Sequence, residues 1–348
     1  MPAALTGFLV MSFADGIGVA MGRLCADYDF PGAVSGALPS LIFLWFFVLS
    51  IPVGGMCVRF GRRRIALVSL LVTAVAMFLP VGAKVSPVVV FAFSFALLGI
   101  SNVGLQVALP TFVASVSPSG SVTGRVMACL AAKTGMAASI PAVFALCAVL
   151  GDWTWAFPAG AALALAAAAL LSRTFVFAAA DAVPPVSYGS AVRLMADPVV
   201  AAVVLSFALA VCQDVELNLV LPGLLRSFYG WDPARQGLGA GVYFLAKIPA
   251  MLVGAWLLPR VRPSSAAAPC VAAVVIGLAV LCAAPSVGLF FAALLLVSFG
   301  SANFYGIAFG ILAERCPADL DRLSSLLVMS ISSAALVAPV LTACGWRF

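Results

Sequence analysis

Five ionisable side chains lie inside long apolar stretches of this sequence: Asp15, Lys133, Asp214, Glu216 and Lys247. An ionisable residue at the centre of a membrane costs about 2.5–3.5 kcal/mol on insertion scales, so such residues face a cavity or one another. Three acids and two bases can pair so that one carboxylate is left over. That surplus carboxylate is a candidate carrier for a proton or another cation.

Asp15 lies about ten residues into the first apolar stretch, which at about 1.5 Å per residue places it near the bilayer centre. Gly16 and Gly18 follow it and would let a neighbouring helix or a substrate approach closely. We expect Asp15 to act in ion coupling or substrate binding. The alternative is a structural ion pair with Lys133.

The stretch after residue 198 is the most polar of the apolar runs. Asp214 and Asn218 are four residues apart and share a helix face, whereas Glu216 lies on another face. We expect Asp214 and Asn218 to contact a solute, and the alternative is polar contact with Lys247 that only joins helices. Pro222 follows and predicts a break or kink in the helix.

Three amides and a phenol lie in two further apolar runs. Asn102 and Gln106 are one helical turn apart and share a helix face. Asn303 and Tyr305 are two residues apart, so only one of them can face the cavity. Amides suit hydroxyl-rich ligands, because they donate and accept hydrogen bonds without carrying charge. Hydrogen bonding between helices explains them equally well.

Composition makes the chain a polytopic α-helical membrane protein, with the lipid bilayer as its surroundings. Hydrophobic residues make up 64% of the chain and charged residues 9%, whereas a soluble domain has about 25% charged residues. The net charge of +6 comes mostly from short loops and does not indicate a nucleic-acid partner. Histidine is absent, and the nine cysteines show no metal-ligand spacing, so no metal or organic cofactor is expected.

Apolar runs of about 20 residues predict eleven membrane-spanning helices. Their ranges are 4–24, 35–57, 64–83, 87–113, 126–150, 154–178, 198–226, 237–258, 267–284, 286–312 and 323–343. With the N-terminus in the cytoplasm, the cytoplasmic loops hold most of the arginines, including a cluster of four at residues 59–64. The positive-inside rule therefore predicts a cytoplasmic N-terminus, in a bacterial inner membrane.

The longest polar connection divides the predicted spans into two halves. We expect an N-terminal six-helix bundle at 1–178, a central cytoplasmic loop at 179–197 and a C-terminal bundle at 198–348. Two six-helix halves with the solute site between them are a known transporter design. The second half has five predicted spans, so we expect that a twelfth helix is missing.

The stretch from Gly55 to Arg63, GMCVRFGRR, resembles the loop signature of the major facilitator superfamily. That signature places glycine, aspartate, arginine, glycine and two basic residues at these intervals. The matching residues are Gly55, Arg59, Gly61, Arg62 and Arg63. Val58 stands at the position of the aspartate. The resemblance implies a gating loop that is latched to neighbouring helices by charge.

Further segments resemble the fucose and glucose/galactose permeases of that superfamily. They are FADGIG at 13–18, LSIPVGG at 49–55, LGISNVGLQVALP at 98–110 and FGSANFYGIAFGILAERCP at 299–317. The resemblance implies a sugar:proton symporter that uses one acid in span one and another in span four. Asp15 can stand for the first, whereas span four offers Asn102 and Gln106.

The sequence thus predicts a secondary active transporter with the major facilitator fold, acting as a monomer. It would move a small polar solute, a sugar or related metabolite, by alternating access with H⁺ as the coupling ion. Asp15 would be the coupling acid, and Asn102, Gln106, Asp214, Asn218 and Asn303 would line the site. Three alternatives remain: an efflux pump of the same fold for amphipathic compounds, a non-transporting remnant, and a polytopic membrane enzyme. The sequence has no nucleotide-binding motif or nucleophile–base pair, and an enzyme is not expected.

Overall fold

The computed structural model describes residues 2–15, 24, 27–28, 32–83, 86–117, 122–174, 188–231, 233–283 and 286–345. Within these ranges the chain is almost entirely helical and has no strand. The helices are α1 Pro2–Asp15, α2 Gly32–Phe60, α3 Arg62–Phe78, α4 Pro87–Ser115, α5 Val122–Leu150, α6 Ala156–Ser172, α7 Tyr188–Arg193, α8 Pro198–Tyr229, α9 Pro233–Leu257, α10 Pro263–Ala283, α11 Val287–Ser301, α12 Phe304–Arg315 and α13 Leu320–Gly345.

Eight helical segments among the described ranges are long and apolar enough to cross a membrane. Pro2–Asp15 and Gly241–Leu257 are shorter apolar helices. Within the described part of the chain, each of the eleven predicted spans overlaps one of these eight segments, one of the two shorter helices or α13. The all-α fold class is therefore confirmed, and the count of eleven spans stays a prediction.

The tenth predicted span is interrupted near its middle, which the sequence analysis did not predict. α11 ends at Ser301, α12 begins at Phe304, and Ala302 and Asn303 form a turn between them. The helix does not break at Pro222, because α8 runs as one helix from Pro198 to Tyr229, and the kink that was the other possibility stays a prediction. A proline removes one backbone hydrogen bond, and a long helix tolerates that loss in a membrane when neighbouring groups compensate.

The described chain forms two compact units. The first comprises Met1–Val116, Ser139–Leu194 and Asp319–Ser332, and the second comprises Ser117–Ala138, Met195–Ala318 and Ser333–Phe348. Residues 117–138 therefore belong to the second unit, although the chain on either side of them belongs to the first. Residues 319–332 belong to the first unit, although the chain on either side of them belongs to the second. The division into 1–178 and 198–348 follows chain order and stays a prediction.

In the first unit, α4 packs against α2 and α3, and α6 packs against α1 and α3. Polar side chains connect these apolar helices: Thr73 Oγ1 donates to Ser101 Oγ at 2.9 Å, and Ser94 Oγ donates to the carbonyl of Ala76 at 2.7 Å. Gly54 lies directly against Ser325 and the Asp321 carbonyl, so any side chain at 54 would collide with α13. These contacts hold the N-terminal part of α13 to α2.

In the second unit, α11 packs against α9 and α10, and α8 packs against α9 and α12. One core cluster includes Leu217, Leu221, Tyr243, Phe290 and Val297, all buried. A second cluster joins Met127 of α5 to Leu258, Ala266 and Ile307. Tyr243 brings a hydroxyl into the first cluster, because its ring is buried among leucines while its oxygen reaches polar partners.

Candidate functional site

A buried ion pair joins α8 to α9 in the second unit. Lys247 Nζ lies 2.5 Å from Asp214 Oδ1. The lysine side chain is 9% exposed and the aspartate side chain 29%. The structure thus contains the pairing that was the alternative interpretation of Asp214, and contact of Asp214 with a solute stays a prediction.

Tyr243, which the sequence analysis missed, completes this cluster. It lies one helical turn before Lys247, and its hydroxyl donates a short hydrogen bond to the same Asp214 Oδ1. The Lys247 ammonium also lies 4.3 Å from the Tyr243 ring centroid and 5.4 Å from that of Phe244. A carboxylate and two aromatic rings therefore stabilise the ammonium together. The Tyr-x-x-x-Lys spacing on α9 is the sequence signal that indicates this arrangement.

The cluster extends to the break between α11 and α12. The hydroxyls of Tyr243 and Ser301 are 3.4 Å apart, and Ser298 Oγ donates to the Tyr243 carbonyl at 3.0 Å. Asn303 Nδ2 donates to the carbonyl of Ala250, one turn after Lys247, at 3.1 Å. The Asn303 Oδ1 atom is buried and accepts no hydrogen bond from the residues that the structure describes.

Gly254 explains how the Asn303 amide reaches α9. A Cβ atom at residue 254 would collide with the Asn303 side chain. The glycine therefore leaves room for the amide against the α9 backbone, and an alanine there would displace it.

In the first unit, Asn102 and Gln106 of α4 are both buried, with 2% and 8% of their surfaces exposed. Asn102 Nδ2 lies 3.4 Å from the carbonyl of Met11 in α1, whereas its Oδ1 atom is buried and accepts no hydrogen bond within the described part of the chain. Each unit therefore holds a buried asparagine whose amide nitrogen is bonded to another helix, and the Asn303 oxygen lies against Gly254.

The remaining predicted site residues are distributed over both units. Asp15 is the last residue of α1 and is exposed, in the first unit, whereas Lys133 is half-buried in the second. Their predicted pairing stays a prediction. Glu216 is half-buried on α8, and the side chain of Asn218 lies outside the described residues.

The loop signature is held by a second ion pair. Arg62 Nε and Nη2 each lie 2.8 Å from one carboxylate oxygen of Asp321 at the start of α13. The Asp321 carboxylate is the more buried partner, with 10% of the side chain exposed against 30% for Arg62. The sequence analysis placed Arg62 in a latch and did not identify Asp321 as its partner.

The other signature residues have different roles. Gly61 joins α2 to α3 with φ = 89°, a conformation that favours glycine. Arg63 Nε donates to the carbonyl of Leu171 at 3.1 Å at the end of α6. Arg59 is exposed with its guanidinium 5.2 Å from the Phe60 ring centroid, and Gly55 is half-buried within α2.

Asp197, immediately before α8, is a titratable group outside the predicted spans whose carboxylate has two described partners. The backbone N–H of Val199 donates to its Oδ1 at 2.8 Å, and Arg315 Nε lies 3.1 Å from its Oδ2. The hydrogen bond from Val199, together with Arg315, lowers the pKa of the Asp197 carboxyl. Asp197 is thus an ionised N-cap of α8, which the helix dipole favours.

Solved membrane transporters share this fold. The E. coli fucose:proton symporter FucP is 17% identical, with a TM-score of 0.82 over 99% of this chain and 91% of that chain. The proton:xylose symporter XylE is 15% identical with a TM-score of 0.71, covering 99% and 87%. A bacterial homologue of the iron transporter ferroportin is 16% identical with a TM-score of 0.75, covering 99% and 91%. No family model and no curated protein matches the sequence.

The chain therefore has the fold of the major facilitator superfamily, as the loop signature predicted. The solved structures named above are all transporters, and their names cover sugars and iron. At identities of 15–17% the similarity establishes the fold and does not identify the solute. The solute has to be inferred from the residues of this chain.

Proposed function

We propose that the protein is a secondary active transporter, not an enzyme, that moves a small polar solute across a bacterial inner membrane. The solute class is a sugar or a related metabolite, and H⁺ is the coupling ion. Transport proceeds by alternating access, as in other transporters of this architecture. FucP and XylE, which share the fold, are a fucose:proton and a proton:xylose symporter.

The observation that carries this proposal is the pair of buried asparagine oxygens that have no hydrogen bond among the described residues. Asn102 Oδ1 and Asn303 Oδ1 lie in apolar helices, one in each unit. Leaving a buried acceptor without a partner costs about 1–3 kcal/mol, so two such atoms need a compensating role. A hydroxylated solute supplies the missing donors when it binds.

The buried charges support the same function. Lys247 and Asp214 lie in apolar helices and contact each other at 2.5 Å. Ionisable groups in such positions are expensive and belong to solute or ion pathways. A purely structural role would need only an apolar contact of the same size, which is often at least as stable.

Uptake into proteoliposomes tests the proposal. The purified protein is reconstituted, and uptake of labelled monosaccharides and sugar acids is measured with and without an inward proton gradient. We expect accumulation of at least one of these solutes that depends on the gradient. Asn102→Ala and Asn303→Ala are each expected to weaken its apparent affinity about tenfold or more, because each removes one buried hydrogen-bonding group.

Thr111→Val is the matched control, since Thr111 Oγ1 donates only to carbonyls of its own helix, at 3.0 and 3.1 Å. This variant is expected to transport with the apparent affinity of the parent protein. A monodisperse, correctly reconstituted protein that takes up none of these solutes contradicts the proposed function.

A further inference from the structure

The outer face of α3 is an apolar stripe that begins with an arginine. Val68, Leu71, Val75 and Phe78 are between 49% and 60% exposed, and they recur at the spacing of one helix face. Arg64 is exposed on the same face, one turn before Val68. Since α3 is long and apolar enough to cross a membrane, this face contacts lipid tails, and Arg64 lies where the face reaches the lipid headgroups.

The neighbouring helix α6, which packs against α3, has the same arrangement. Ala162, Ala166 and Ala169 are exposed on one side of the helix. Arg173, which directly follows the last residue of α6, is exposed on the same side. The outer faces of two packed helices therefore each end in an exposed arginine.

Arg63 joins the ends of these two helices. Its Nε donates to the carbonyl of Leu171 at 3.1 Å, and its Nη2 donates to the carbonyl of Ser172. The last carbonyls of a helix carry a partial negative charge, which the Arg63 guanidinium offsets. Arg64 follows Arg63 in the chain and Arg173 follows Ser172, so both exposed arginines lie next to this contact.

Neither exposed arginine forms an ion pair with a carboxylate of the described residues. The sequence has no aspartate or glutamate between Asp29 and Asp152 and none between Asp152 and Asp181, so α3 and α6 carry no acid. Asp321, at the start of α13, is bonded to Arg62 through both carboxylate oxygens. This end of the first unit therefore presents positive charge beside an apolar surface, and a lipid with an anionic headgroup is complementary to both.

We propose that α3 and α6 bind one anionic phospholipid, of the phosphatidylglycerol type, at the end of the first unit that is predicted to be cytoplasmic. The lipid phosphate bonds to the guanidinium groups of Arg64 and Arg173, and the acyl chains lie along the apolar outer faces of the two helices. Arginine suits this role, because its planar guanidinium presents several N–H donors to phosphate oxygens. Basic pockets between membrane helices on the cytoplasmic side favour anionic headgroups. The site does not depend on which solute the protein moves.

Lipid binding to the purified full-length protein tests the proposal. The protein is delipidated in detergent and titrated with phosphatidylglycerol or with zwitterionic phosphatidylethanolamine of the same acyl chains, and bound lipids are counted by native mass spectrometry. We expect one phosphatidylglycerol to bind about tenfold or more tightly than phosphatidylethanolamine, since each arginine near a membrane surface strengthens the attraction of an anionic lipid about fivefold. Soluble glycerol phosphate is not expected to displace the lipid, because it has no acyl chains.

Substitutions separate this site from general attraction to a basic protein. Arg64→Gln combined with Arg173→Gln is expected to remove the preference for phosphatidylglycerol, and the corresponding pair of lysine substitutions to retain it in part. Arg260→Gln combined with Arg262→Gln is the matched control, because these arginines are also exposed, lie in the second unit and change the net charge equally. The control is expected to keep the preference of the parent protein.

Four results would each overturn the proposal. They are equal binding of the two lipids by the parent protein, a preference that persists without Arg64 and Arg173, an equal loss of preference in the control, and displacement of the lipid by soluble glycerol phosphate.

Discussion

Asp15 is the acid to which the sequence assigns ion coupling, and the structure places it at an accessible position. It ends α1 and is exposed, whereas Asp214 is held by Lys247 and Tyr243. The role of Asp15 as the acid that responds to the proton gradient stays a prediction.

Asp15→Asn tests the coupling role at the scale of one residue. Asparagine keeps the size and hydrogen-bonding capacity of aspartate but cannot bind a proton. In the variant, we expect solute accumulation under a proton gradient to fall to the level measured without a gradient. We expect exchange of labelled for unlabelled solute to be retained. Both activities are measured in proteoliposomes.

Glu314→Gln is the control for that experiment, because Glu314 is an exposed carboxylate near the end of α12. It is expected to leave both activities unchanged. Gradient-driven accumulation that persists in Asp15→Asn would exclude Asp15 as the coupling acid.

At the scale of elements, local signals predicted helices well and predicted their interruptions poorly. A span is a run of about 20 apolar residues, and that property is local to the sequence. The same local reasoning predicted a break or kink at Pro222, where α8 does not break, and no interruption at Ala302–Asn303, where α11 ends. Small and polar residues end a helix only where neighbouring helices satisfy the freed backbone groups, and those neighbours are not visible in the local sequence.

The sequence also could not predict which distant residues form ion pairs or hydrogen bonds, because such pairing depends on how the helices pack. Asp321 pairs with Arg62 across 259 residues, and Tyr243 bonds to Asp214 across 29. Counting charges indicated that pairs exist, but which residues pair depends on how the helices are packed. Lys247 and Asp214 were identified as an alternative because they are neighbours among few buried charges.

The latch between the α2–α3 loop and α13 gives a prediction at this scale. Val58 replaces the aspartate of the superfamily signature, yet Arg62 still has a two-point contact with Asp321. We expect Arg62→Gln to lower the free energy of unfolding by about 1–2 kcal/mol, since it leaves the mostly buried Asp321 carboxylate without its cation. The change is measured as a lower thermal unfolding midpoint of the purified protein.

Arg59→Gln is the matched control, because Arg59 belongs to the same signature and is exposed beside Phe60. An exposed substitution of this kind changes stability by no more than about 0.5 kcal/mol. Equal losses in the two variants would show that the Arg62–Asp321 contact does not stabilise the first unit.

At the scale of the whole molecule, the number of spans determines which side of the membrane each loop faces. The arginine-rich loop at residues 59–64, the central loop at 179–197 and the N-terminus are predicted to be cytoplasmic. Eleven is odd, so residue 348 is predicted to lie on the opposite side. The ion coupling assigned to Asp15 depends on this orientation, because an inward proton gradient reaches that residue from one side.

Reporter fusions test the orientation directly. Alkaline phosphatase, which is active only in the periplasm, and green fluorescent protein, which fluoresces in the cytoplasm, are fused in turn after Lys84, Asp181 and Phe348. We expect phosphatase activity after Lys84 and Phe348 and fluorescence after Asp181. The Lys84 and Asp181 fusions are the reference signals for the two sides of the membrane, since Lys84 lies in a predicted periplasmic loop and Asp181 in the predicted cytoplasmic loop. Fluorescence after Phe348 would mean an even number of spans, and each residue placed after the miscounted span would then face the opposite side of the membrane.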